Sequence, residues 1–164
     1  MTLGKWLLLT GALFAASGAD DKLDEYLTKD GKLTRALEVR DVQGGFAGFT
    51  GRVWTVDPAG RWTTGRVFNQ KIDVEKKGEL TKEQLAALAK ELARHDLANL
   101  KSEGKPTTNP HVVTIKFGDR EATLNLGAGQ PLPKPDPKGG AAGRYAGIVK
   151  AVEALLKDGG KEKP

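Results

Sequence analysis

Apolar residues recur along this chain with two periods, and each period marks its own kind of element. From Arg35, Leu37 and Val39 alternate with Glu38 and Arg40, the period of two that predicts a half-buried strand, until Gly44-Gly45-Phe46-Ala47-Gly48 interrupts it. A second strand is expected over about 49–56 and a third from Arg61 to about Val67. Between them Asp57-Pro58-Ala59-Gly60 reads as a turn, with Pro setting φ at its second position and Gly free to take positive φ at its last. Closing that turn puts Val56 opposite Trp62 and Trp54 opposite Thr64, so both Trp lie on one face. Residues 70–80 are extended and mixed in character, and read as a continuation of the third strand through Ile72 and Val74. Thr81 and Gln84 then form a capping-box pattern. Leu85, Leu88 and Leu92 follow at i, i+3 and i+7, which predicts a helix over 82–94.

The strongest local signal runs from His111 to Leu126 around Gly118-Asp119. A two-residue turn there pairs Phe117 with Arg120, Lys116 with Glu121, Ile115 with Ala122, Thr114 with Thr123 and Val113 with Leu124. One face is then apolar, and the other carries a Lys116/Glu121 charge pair and a Thr pair, so turn and register agree. Residues 131–138 place Pro at every second position and read as an extended, unpaired spacer inside a Pro/Gly-rich stretch, 131–140. Tyr145, Ile148, Val149, Val152, Leu155 and Leu156 then stripe one face of a closing helix over 141–157. The predicted order is β-β-β-α-β-β-α. Each helix has a single apolar face, so the simplest fold is α+β: an antiparallel sheet of about five strands with two amphipathic helices on one face.

The ends of the chain bear on where it works. Lys5, the apolar run Trp6 to Ala16 and Ser17-Gly18-Ala19 have the layout of a cleavable export signal over 1–19, and a run this short falls below the ~20 residues of a spanning helix. Residues 20–34 are charged and read as a loose leader with about one helical turn, ahead of a single domain over 35–157; residues 158–164 read as a disordered tail. The expected protein is therefore exported, periplasmic or secreted, monomeric, and without a membrane span once the signal is removed. Its net charge of +5, spread along the chain, gives no reason to expect nucleic-acid binding. With no Cys, stability in an oxidising compartment must come from packing.

The inventory of reactive side chains is short. Outside the signal there is one Ser, Ser102, and the chain has two His, His95 and His111. Nothing in the spacing presents Ser102 as an activated nucleophile, so it reads as a loop serine. Two His sixteen apart do not make a zinc set, and His95 reads as a favourable partner for a helix C-terminus. Asp73 and Glu75, beside Lys76 and Lys77, read as a solvated edge. Gly44-Gly45-x-x-Gly48 lacks the Lys and the following helix of a phosphate loop. No enzyme, metal or cofactor is expected.

Binding is what remains, and two surfaces qualify. Gly44, Gly45, Phe46, Ala47, Gly48 and Phe49 belong to an uncharged segment that can offer Phe46 or Phe49 to a partner's pocket as a mobile loop; in the alternative, Gly44-Gly45 makes a bulge or turn and both Phe pack inward. The second surface is the hairpin face with Arg52, Trp54, Trp62 and Arg66. Arg52 lies opposite Arg66, an unfavourable pair unless a carboxylate or an anionic envelope partner compensates. The alternative packs both Trp under the helices with the Arg groups at the rim.

The GGFAG segment at 44–48, the helix entry Leu80-Thr81-x-x-Gln84-Leu85-x-x-Leu88, the following hairpin and the closing helix together resemble the emfourin-type inhibitors of thermolysin-like (protealysin-type) metallopeptidases, over about 37–157. The resemblance implies a small exported protein that blocks a zinc peptidase by surface contact, with no chemistry of its own. Gly44, Gly45, Phe46, Ala47 and Gly48 are the positions that carry over. This chain departs from the family in a longer hairpin over 52–79, the charged leader and the Pro-rich spacer.

Overall fold

The computed structural model describes residues 22–158. The export-signal reading and most of the predicted tail lie outside the described residues. Strands β1 (Leu37–Gly45), β2 (Gly48–Val56), β3 (Arg61–Phe68), β4 (Lys71–Glu79), β5 (His111–Phe117) and β6 (Arg120–Leu126) form one antiparallel sheet in the order β4-β3-β2-β1-β5-β6. Helix α1 (Lys82–Arg94) follows β4 and helix α2 (Ala141–Asp158) comes after β6. The α+β class stands, with six strands. The additional one is β4: the chain reverses at Asn69-Gln70, with Asn69 at φ 56°, and residues 71–79 pair back on β3 rather than extend it.

Registers agree with the sequence pattern residue by residue. Val56 faces Trp62, Trp54 faces Thr64, and all five predicted pairs of the β5–β6 hairpin are present. At α1, the Gln84 amide donates to Thr81 Oγ1 at 3.3 Å and the Thr81 amide donates to Gln84 Oε1 at 2.8 Å, closing the capping box.

Residues opposite each other in a ladder share a face, so the registers sort the sheet into two sides. Leu37, Val39, Trp54, Val56, Trp62, Val113, Ile115, Phe117 and Leu124 point to one side, where Leu85, Leu88 and Leu92 of α1 and Tyr145, Ile148 and Val152 of α2 complete a single core. Both helices cover that side, as their single apolar stripes require. No helix among the described residues covers the other side.

The leader differs from expectation. Leu27 closes a helical turn by donating to the Leu23 carbonyl at 2.9 Å, as the pattern allowed. Residues 22–34 are nevertheless folded onto the sheet. Tyr26 and Leu33 are buried in the core, the Tyr26 ring packs on Phe117 at 5.7 Å, and its hydroxyl accepts the Ala98 amide at 2.8 Å. One aromatic ring anchors an otherwise polar segment, which composition alone does not reveal. No helix among the described residues is long and apolar enough to cross a membrane.

Candidate protein-binding site

The β1–β2 ladder stays paired down to Gly45 opposite Gly48, leaving Phe46 and Ala47 to span the turn. Gly48 takes φ 100°, a value closed to side-chain residues, and Phe46 and Ala47 keep negative φ. Both sides of the turn are braced. On the β1 side the Gly44 amide donates to the Pro110 carbonyl at 2.7 Å, and Gln43 Nε2 donates to the Asn109 carbonyl at 2.9 Å. On the β2 side the Phe49 amide donates to Asn69 Oδ1 at 3.1 Å, while the Asn69 amide donates to the Phe49 carbonyl at 2.6 Å. The expected mobile loop is thus a hydrogen-bonded turn.

Its side chains point outward. Phe46 is wholly exposed, at 109%, and Phe49 is 40% exposed, so inward packing of the two rings is excluded. Phe49 opens onto the uncovered side of the sheet, where Val42, Val67, Ile72 and Val112 stand abreast behind it. A shallow depression of about 510 Å³ follows these residues toward Arg40, Lys116 and Glu121. Sequence reasoning missed this extension. The signal was present: even positions of β2 include Trp54 and Val56, so odd ones, Phe49 and Val53, must face away from the helices.

The second surface is arranged differently. Trp54 and Trp62 are buried in the core beneath the helices. Arg52 does oppose Arg66, and each has its own carboxylate: Arg52 is 3.8 Å from Glu153, and Arg66 is 2.6 Å from Glu75. The like-charge repulsion is compensated within the chain, and no aromatic face is left for a partner.

Ser102, Asp73, Glu75 and His111, the other polar residues weighed from the sequence, each have a local partner. Ser102 Oγ accepts the Thr123 amide at 3.0 Å. Asp73 pairs with Lys71 on the exposed edge strand β4, and Glu75 sits where the β3–β4 register shifts. His111 Nδ1 donates to the Gln130 carbonyl and its Nε2 faces Asp41 Oδ1, both at 2.5 Å, which ties the start of the Pro-rich segment to β1. Pro135 and Pro137 then line a cleft of about 570 Å³ between α1 and α2, with Leu88 and Leu155. No group of three acidic or histidine side chains suited to a metal occurs among the described residues.

His95 does cap the C-terminal end of α1, but as a buried ring rather than a solvated charge. It is 3% exposed, lies flat on Gly147 of α2, and its Nδ1 has no hydrogen-bond partner. Burial holds its pKa below the usual 6.5; Glu91 opposes that shift and Arg94 adds to it. Because the folded value is depressed, the unfolded chain takes up a proton the folded protein refuses once the pH falls below about 6.5. The contribution of His95 to stability should therefore be fully present above that pH and be lost below it. Urea unfolding at pH 7.5, 6.5 and 5.5 measures the decline, and His95→Gln should flatten it over this range; an unchanged slope would place its origin elsewhere.

No protein-family model and no curated protein matches the sequence.

Proposed function

We propose that this is an exported, non-enzymatic binding protein that inhibits a thermolysin-like zinc metallopeptidase by placing Phe46 in an apolar pocket of the enzyme. The observation that carries this reading is a wholly exposed phenylalanine on a turn braced from both sides. Leaving such a ring in water forgoes about 1.5–3 kcal/mol of burial, which insertion into a pocket recovers. The bracing lowers the ordering cost of binding. It also protects the segment: a peptidase must hold its substrate extended, and extending residues 45–48 would break the Gly45–Gly48 pairing and the Asn69 hydrogen bonds. The resemblance to emfourin-type inhibitors rests on this same segment, and a large apolar side chain offered there suits a peptidase that favours such residues.

The envelope-polymer reading through Arg52, Trp54, Trp62 and Arg66 is less well supported, since the cations are paired and the rings buried. Salt separates the two. Hydrolysis of a small peptide by a thermolysin-like peptidase should be blocked by the protein with an inhibition constant changing less than about tenfold between 0.05 and 0.5 M salt. Unblocked hydrolysis, together with polyanion binding that collapses over the same salt range, would favour the Arg face.

A further inference from the structure

Among the described residues the arginines are paired with one exception. Arg35, Arg52, Arg61, Arg66, Arg94, Arg120 and Arg144 each lie within ion-pair distance of a carboxylate. Arg40 makes no ion pair or side-chain hydrogen bond with any described residue, and its Nε is buried without a partner. It stands on the uncovered side of the sheet, opposite Val53 on β2 and Thr114 on β5. One same-face step toward the turn is Val42, and beyond it the apolar row that ends at Phe49. One step the other way is Glu38, directly opposite Lys116, which in turn faces Glu121. These charged groups line the same depression without forming an ion pair with Arg40.

We propose that Arg40 is a specificity-determining residue of the binding surface and takes a carboxylate of the protein partner whose apolar side chains cover Phe49, Val42 and Ile72. The inference rests on the peptidase-inhibitor reading and names what that partner must carry. A partner closing over this row strips water from the guanidinium. If it lacks an acid, a buried unpaired charge results, which is strongly unfavourable; if it supplies one, the planar fork donates two parallel N–H bonds to the carboxylate. Arg40 therefore rejects apolar surfaces without an acid as much as it attracts those with one. The unpaired state of Arg40 in the free protein is what such a division of labour requires.

The test is the peptidase titration repeated with Arg40→Gln, Arg40→Glu and Arg40→Lys, alongside thermal unfolding of each. Arg40→Gln should weaken inhibition at least about 30-fold, Arg40→Glu more, and Arg40→Lys should recover part of the loss, all with melting temperatures near that of the wild type because no internal pair is removed. Full inhibition by Arg40→Gln and Arg40→Glu would overturn the role of Arg40 while leaving the peptidase reading standing. Loss of inhibition accompanied by a lowered melting temperature in all three would assign Arg40 to folding and overturn it as well. A wild-type protein that fails to inhibit would overturn both readings together.

Discussion

Replacing Gly147 with Ala is expected to destabilise the protein by about 1–2 kcal/mol, although alanine is the better helix former. A Cβ at this position of α2 would lie 2.0 Å from His95 Cε1 and 2.2 Å from Nε2. The ring cannot yield cheaply, because it is itself buried between the helices. Helix propensity favours Ala by up to about 1 kcal/mol, and forcing a methyl into a closed contact costs typically about 1–3 kcal/mol and sometimes more, so the clash wins. Equilibrium unfolding in urea measures the result. The cause is isolated by adding His95→Ala: with the ring gone the double variant should be more stable than the sum of the single effects requires, by on the order of 1 kcal/mol. Gly140→Ala, whose Cβ meets nothing within 4 Å, is a clash-free comparison at the N-cap of α2, where replacing glycine by alanine costs about 1 kcal/mol at most. A neutral Gly147→Ala would mean that the imidazole does not rest on α2.

The second large effect is functional. Phe46→Ala combined with Phe49→Ala should weaken peptidase inhibition at least about 100-fold, since a central aromatic anchor is commonly worth about 2 kcal/mol or more and the two rings act on one partner surface. Stability should barely move for Phe46, which touches solvent on all sides, and only modestly for Phe49. The backbone that presents them does not depend on either ring: its hydrogen bonds come from Gly44, Asn69 and Gln43. An inhibition constant left within threefold of wild type would remove the turn from the interface. Unfolding of the double variant would instead mean that the rings hold the sheet together, against their exposure.

How much of this was legible in the sequence depended on whether independent signals coincided. In the β5–β6 hairpin a two-residue turn, an apolar face, a charge pair and a Thr pair all demand one register, and that register is the one formed. The capped helix α1 and the striped helix α2 were equally determined. Strand β4 was not, because Lys71, Asp73, Glu75, Lys76 and Lys77 give it the polar character of a protected edge and leave Ile72 and Val74 too few to set a period. Residues 22–34 have no legible local pattern for a related reason: burial there rests on Tyr26 and Leu33, held by long-range contacts to Phe117 and Ala98. The GGFAG segment was open to two readings, because glycines that permit an inward bulge permit an outward turn as well. What decided it was the Asn69 brace from the β3–β4 turn, twenty residues away. Arg40 was invisible as a site residue, since on the page of the sequence it is one more alternating charge in a strand, and only the pairing of every other described arginine sets it apart.

The measurement that bears most directly on the account is a titration of the protein into a thermolysin-like metallopeptidase while hydrolysis of a small peptide is followed, with the mixture examined afterwards for cleavage. Loss of activity near one equivalent is expected, with the protein recovered uncut at residues 45–48. Undiminished hydrolysis, or inhibition that fades as the turn is cleaved, would contradict the peptidase-inhibitor reading.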